Sequence, residues 1–243
     1  MKKVFETDDF AVFDDVLDQE TFILAWRYFQ TEDFRFVSSP KWVKINRLMD
    51  GNPLLAPAYL SDPVIGDSIT KVYPTSTGID LIINKIKESE SFIAPWVGKR
   101  GVDWSAFFAR PYLYPQGTGL AWHDDYSDAS GAYIFYLHPE WNASWGGELL
   151  IADASTKDLP RPKVRLYGEK EPRTIGNHLD QKGYSEKLLE IGVGHFIQPK
   201  PNRLVVLRAG VQHMIKKVDP AAGDHCRCSI AGFFLNIGKE DRR

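Results

Sequence analysis

Apolar positions recur at helical spacing early in the chain and come in short runs later, so helices are predicted first and strands afterwards. Residues 10–17 read as a short strand and turn. Behind Asp18 or Thr21 as candidate caps, Phe22, Leu24, Ala25 and Phe29 then roughly follow helical spacing. Ile79, Leu81, Ile82, Ile83 and Ile86 give an apolar side to a second helix predicted over 75–89, with Thr77 and Asp80 spaced like a capping box. Between the two, residues 38–74 carry Pro40, Gly51, Pro53, Pro57, Pro63 and Gly66 and read as a long connection over the core, a candidate lid. The helical pattern breaks at Gly98 to Gly101.

From Trp104 onward the texture changes to alternating or apolar runs at 107–114, 132–137, 148–152, 194–197, 203–207, 211–218 and 226–236. Pro115-Gln-Gly-Thr-Gly119, Trp145-Gly-Gly147 and Ala209-Gly210 supply turns, and short strands in such succession argue for a sandwich or barrel. Residues 153–193 interrupt the pattern with a local surplus of positive charge from Lys157, Arg161, Lys163, Arg165, Lys170 and Arg173. A solvated insertion and a contact surface for an acidic substrate both fit that surplus. Selectivity is expected in 38–74 and 153–193, with Trp42, Tyr59, Arg161, Arg165, Tyr167 and Arg173 as candidate substrate contacts.

Composition narrows the classes. At 243 residues, 43% of them hydrophobic, the chain is long enough for one substantial core and is expected to form a single domain over 1–243. A net charge of -2 and a pI near 6.3 leave no electrostatic footprint for nucleic acid. No apolar run approaches the roughly 20 residues that span a bilayer, and the first residues lack a signal peptide's apolar core. Cys226 and Cys228 are too close together for an ordinary disulfide and too few for a zinc cluster, which suits a reducing, cytoplasmic setting.

Candidate chemistry centres on Gly119-Leu-Ala-Trp-His-Asp-Asp-Tyr126. In an extended segment His123 and Asp125 project from one face and can converge on one ion, while Asp124 points the other way. Imidazole and carboxylate together suit a borderline divalent cation, and His213 is the candidate third ligand of a facial arrangement. Taken alone, the pair is better read as His123 capping a strand end and Asp125 opening a turn. Near the end of the chain Arg227, Ser229, Ala231 and Phe233 share a face by alternation. If that face is the inner one, Arg227 presents a fork suited to a carboxylate, with Ser229 beside it; an exposed arginine on an edge strand is the other reading. Arg203 and Arg208 are the next candidates for an anion site.

The pieces occur in a telling order: a Tyr-Pro-x-Gly-x-Gly turn leading to His-x-Asp (Tyr114 to Asp125), Phe135-Tyr-Leu-His-Pro-Glu-Trp141, Trp145-Gly-Gly-Glu-Leu149, His213, and Arg227-x-Ser229. As a set they resemble the Fe(II)- and 2-oxoglutarate-dependent oxygenases, in particular the prolyl-hydroxylase-like branch, over about residues 104–237. The resemblance implies a mainly β chain: a double-stranded β-helix (jelly roll) core at 104–237 with the insertion at 153–193, flanked by N-terminal helices in a helical and loop-rich support at 1–103. It further implies His123, Asp125 and His213 as iron ligands, Arg227 pairing with the far carboxylate of 2-oxoglutarate, Tyr136 donating a hydrogen bond to it, and Tyr114 as a further pocket member. Fe(II), 2-oxoglutarate and O2 are the cofactors it implies, with ascorbate as a candidate reductant. The reaction expected is hydroxylation of a C–H bond with release of succinate and CO2, and a carboxylate at Asp125 speaks against a halogenase. A small polar or amino-acid-like metabolite is the expected substrate; a prolyl or other residue in a protein is the alternative. From another class, a non-catalytic jelly-roll binding or sensing protein would use His123 and Asp125 structurally. The gap from His213 to Arg227 and the insertion before Gly194 are both longer than the branch usually shows.

Overall fold

The long central strands in the second half of the chain bury side chains on both faces, and the two alternating sets go to two different cores. The computed structural model describes residues 1–37, 50–61, 70–125, 129–157, 163–164, 168, 170–171, 173–174 and 182–236. Its first part comprises β1 (Lys2–Glu6), β2 (Phe10–Asp14), α1 (Gln19–Phe29), β3 (Arg35–Phe36), β4 (Leu54–Leu55), β5 (Ala58–Leu60), β6 (Thr70–Val72), α2 (Gly78–Glu88) and α3 (Glu90–Val97). Then come β7 (Ala106–Tyr114), β8 (Leu120–His123), β9 (Ala129–Tyr136), β10 (Leu149–Ala152), β11 (Lys163–Val164), β12 (Arg173–Thr174), α4 (Lys182–Ile191), β13 (Gly194–Ile197), β14 (Leu204–Arg208), β15 (His213–Ile215) and β16 (Arg227–Leu235).

A major sheet runs β1-β2-β14-β9-β16-β7-β4-β3, with β5 and β6 attached beside β7, and a minor sheet runs β13-β10-β15-β8. Eight strands, β7 to β10 and β13 to β16, are shared four and four between the two sheets, changing sheet at every step except the β10–β13 hairpin, which is the expected jelly roll. On β9, Ala132, Ile134 and Tyr136 point between the sheets while Tyr133 and Phe135 point outward under the helices. β14 divides likewise, Val205 and Leu207 inward, Leu204 and Val206 outward.

The helices form the outer layer. Asp18 caps α1 by accepting the Thr21 N–H at 2.9 Å, and Phe22, Ala25 and Phe29 are buried; Leu24, expected on the same side, is 48% exposed. α2 starts at Gly78, and Asp80 closes no box with Thr77 but reaches back to the Thr75 and Ser76 N–H groups, each at 2.7 Å. α3 falls where no helix was expected, because Pro95 lies within it and interrupts the helical pattern. Trp96 anchors it, donating its indole N–H to Thr7 at 2.7 Å.

Two expectations need correction. The described parts of 38–74 include short strands joined to the major sheet, where a connection without strands was expected: Leu55 pairs with Tyr112 and Tyr59 with Ala109 on β7. Tyr59 is fully buried in the helix-side core, its hydroxyl on Glu32 beside Lys71, and so is no substrate contact. Residues 38–49 and 62–69, Trp42 included, lie outside the described residues, as do Arg161, Arg165 and Tyr167. The insertion contains secondary structure, a β11–β12 hairpin and α4, and springs from a minor-sheet hairpin whose last pair is Ala152 with Gly194. Of Arg173 only the backbone, in β12, is described. No described helix is long and apolar enough to cross a membrane.

His138, just past β9, is 2% exposed and bridges two segments: Nε2 donates to the Pro199 carbonyl and Nδ1 accepts the Cys228 N–H. Burial pushes its pKa down from 6.5 to about 4. The unfolded chain therefore binds a proton through that window that the folded one refuses, so stability is present above pH 6.5 and lost as pH falls toward 4. Urea unfolding is expected to show a loss of about 2 kcal/mol from this group between pH 7 and 5, and a smaller total loss in His138→Gln.

Candidate metal centre and anion pocket

β8 and β15 lie side by side in the minor sheet, and their register sets His123 opposite His213. Opposed side chains on one face of an antiparallel pair are close neighbours, and the two imidazole centroids stand 4.2 Å apart. Each ring meets, through Nδ1, the carbonyl two residues back on its own chain: Ala121 at 2.7 Å for His123 and Val211 at 2.8 Å for His213. With Nδ1–H donating there, Nε2 of each keeps its lone pair for a cation. Asp125 brings Oδ1 to 3.7 Å from His123 Nε2 and Oδ2 to 3.2 Å from His213 Nε2. The three ligand atoms lie within 4.8 Å of one another, a group unique among the described residues. Two imidazoles and one carboxylate fit Fe(II) or a similar divalent ion, with further positions left for other ligands. Burial draws the His213 pKa down, but the Asp125 charge and hydrogen bond outweigh it and hold the ring above its ordinary value. That proton must leave when a cation binds.

Two residues that the sequence did not single out hold this pair of strands. Asp50 accepts the Ala121 N–H at 2.6 Å, and the Ala121 carbonyl in turn receives His123. Gln212, beside His213, donates to Asp124 at 2.9 Å, which joins the ends of the two ligand-bearing strands. Both contacts span more than 70 residues of sequence, and no local spacing announces them.

The candidate anion pocket lies on the facing major sheet. Arg227 pairs with Tyr114 on β7, and Ser229 with Tyr112 on β7 and Tyr136 on β9, so the residues expected together are together. Arg227 is 0% exposed, which decides between the inner-face and edge readings in favour of the inner face. Its Nε donates to the Gly147 carbonyl at 2.8 Å and Nη1 to Ser229 Oγ at 3.1 Å. Its guanidinium carbon stands 4.8 Å from the Tyr136 ring centroid and 5.2 Å from that of Tyr114. Nη2 and the Tyr136 hydroxyl are buried and find no hydrogen-bond partner among the described residues, and no described carboxylate pairs with Arg227. A buried cation without a counterion costs several kcal/mol, so this arrangement fits a bound carboxylate. Burial raises the Tyr136 pKa against the opposing pull of Arg227, and raises that of Tyr114 far above its usual value; both phenols stay protonated and able to donate. Gly147 was legible only as a turn. At φ +73°, any Cβ there would meet Arg227 Cδ at 2.9 Å. The alternative arginines are engaged elsewhere: Arg203 grips Asp14 at 2.7 Å, and Arg208 donates to the Pro95 carbonyl.

Comparison with known proteins places this geometry. The family model described as the 2OG-Fe(II) oxygenase superfamily matches residues 109–235. No curated protein matches the chain. Among solved structures, the fold is similar to a prolyl-4-hydroxylase from Pseudomonas putida, at 15% identity and TM-score 0.58, covering 95% of this chain and 94% of that one. It is also similar to a prolyl hydroxylase from Trichoplax adhaerens in complex with a hypoxia inducible factor oxygen degradation domain peptide fragment, at 16% identity and TM-score 0.60, covering 97% and 86%. A third similar structure is a 2OG-Fe(II) oxygenase family oxidoreductase from Burkholderia pseudomallei, at 10% identity and TM-score 0.56, covering 93% and 85%. The chain belongs to the 2OG-Fe(II) oxygenase superfamily and is a 2-oxoglutarate-dependent non-heme iron dioxygenase.

Proposed function

We propose that His123, Asp125 and His213 hold the iron, that Arg227 with Ser229 and Tyr136 holds the far carboxylate of 2-oxoglutarate, and that the enzyme hydroxylates a C–H bond of a small polar or amino-acid-like metabolite. The observation that carries the reading is the fully buried Arg227, without a counterion among the described residues, on the sheet facing a His/Asp/His group. When bound, iron with 2-oxoglutarate and O2 supplies the oxidising power, releasing succinate and CO2. The chain's own residues do the rest. The carbonyls of Ala121 and Val211 fix both imidazole tautomers. Arg227 and Tyr136 orient the cosubstrate by hydrogen bonds its carboxylate can accept, and Tyr112, Tyr114 and Ile134 wall the interior against water.

A second reading, hydroxylation of a prolyl or other residue in a protein, is supported by the structural likeness to two prolyl hydroxylases, one of them holding a peptide. Succinate formation separates the two. Purified protein with Fe(II) and 2-oxoglutarate is expected to form succinate slowly alone and faster with one class of a panel of metabolites and proline-containing peptides. Stimulation by peptides only would replace the first reading with the second, and no succinate under any condition would remove both.

A further inference from the structure

The inner face of β7 carries Phe108, Arg110, Tyr112 and Tyr114 by alternation, and the pocket residues account for only its last part. Their partners on β16 are Phe233, Ala231, Ser229 and Arg227 in turn. Arg110 therefore stands four residues from the Arg227 level, roughly 13 Å along the strand. Tyr112 lies between, close enough for Arg110 to draw its pKa down and for Asp125 to push it up, against a larger rise from burial. Arg110 thus shares the inner face of β7 with the pocket residues, one inward position beyond Tyr112 and two beyond Tyr114. Two arginines face one interior at two depths, and 2-oxoglutarate needs one.

Arg110 has no ion pair among the described residues, and its Nε is buried without a hydrogen-bond partner. Among the described residues, the groups recorded against its guanidinium are uncharged: the Phe108 ring, 5.3 Å away, and the Tyr112 hydroxyl. Opposite it in the ladder Ala231 leaves room, and beyond it Phe108 and Phe233 pair at 5.4 Å between centroids. A planar fork of donors over an aromatic floor, next to a small residue, suits a carboxylate attached to a compact apolar or weakly polar body. Arg110 is half-buried, and a substrate with no anionic group would leave its buried Nε without a partner.

We propose that Arg110 is a specificity-determining residue that binds a free carboxylate of the primary substrate, and so selects small carboxylic acids over neutral compounds and internal peptide residues. The inference rests on the placement of iron and 2-oxoglutarate given above, and its test separates the two. Protein loaded with Mn(II) and N-oxalylglycine, with Mn(II) uptake followed by electron paramagnetic resonance, is titrated calorimetrically with free amino acids and short dicarboxylic acids, each beside its carboxamide. Failure to take up Mn(II) or N-oxalylglycine would overturn the placement of iron and cosubstrate. With both bound, at least one acid is expected to bind on the order of 30-fold or more tightly than its amide. In Arg110→Gln, compared at equal Mn(II)-loaded concentration, that ratio is expected to fall to near one, while Arg110→Lys keeps part of it. Acids binding no better than amides, or a preference that survives in Arg110→Gln, overturns the inference.

Discussion

Arg227→Met is expected to raise the 2-oxoglutarate concentration for half-maximal turnover by about 30-fold to several thousand-fold, with little loss of folding stability. The first part follows from removing a charge-assisted, sheltered contact, worth roughly 2 to 5 kcal/mol when one partner is truncated. The second follows from the state of the side chain before any ligand arrives. It makes two hydrogen bonds, to Gly147 and Ser229, but holds its charge buried with no described counterion. Exchanging a buried charge of that kind for an apolar group of similar length is often neutral or stabilising. A structural arginine would show the reverse pattern, a lowered melting temperature with an unchanged cosubstrate requirement. Lysine should not rescue, since it cannot reach Gly147, Ser229 and a carboxylate with one fork. Gly147→Ala should move the cosubstrate requirement in the same direction, because its Cβ occupies the space that Arg227 Cδ needs. The measurements are the KM for 2-oxoglutarate, the affinity for N-oxalylglycine and the melting temperature of each variant.

How far the site could be read from the sequence depended on whether its parts are local. His123 and Asp125 are two residues apart, and Arg227 and Ser229 lie on one strand, so alternation alone placed each pair on a common face. The β8–β15 register that sets His213 against His123 is a long-range pairing; the need for a third ligand named His213 as a candidate and the ordered resemblance to a family supported it, but neither gave the register. Asp50 and Gln212 had no such pointer; each looks like an ordinary polar residue until the strands are assembled. Arg110 did leave a signal that went unread, a charged residue in phase with Phe108, Tyr112 and Tyr114 on a strand whose other face packs under the helices. In the N-terminal part the misses have separate causes. β1 is exposed throughout, so its sequence carries no burial pattern, and α3 contains the residue that most weakens a helical reading.

Asp125→Ala is expected to abolish tight Fe(II) or Mn(II) binding, whereas Asp124→Ala should only weaken it. The two carboxylates are adjacent in sequence and opposite in phase, so they test the register of the site directly. Asp125 puts one oxygen near each histidine Nε2, at 3.7 and 3.2 Å, and no other described carboxylate joins that group. Its removal leaves two imidazoles, a donor set poor in charge for a divalent ion. Asp124 acts one step away, by holding Gln212 next to His213. Loss of such an outer contact typically costs about 10- to 100-fold in metal affinity, and Asp124→Asn, which keeps a side-chain oxygen that can accept from Gln212, should cost less. Anaerobic equilibrium dialysis with Fe(II), or electron paramagnetic resonance with Mn(II), reads both effects. Should Asp124→Ala abolish binding while Asp125→Ala preserves it, the ion sits on the other face of β8. The paired Nδ1 contacts of His123 and His213 would then be strand-end caps, and the inner face of the major sheet would hold Arg227 and Arg110 without an ion on the facing histidines.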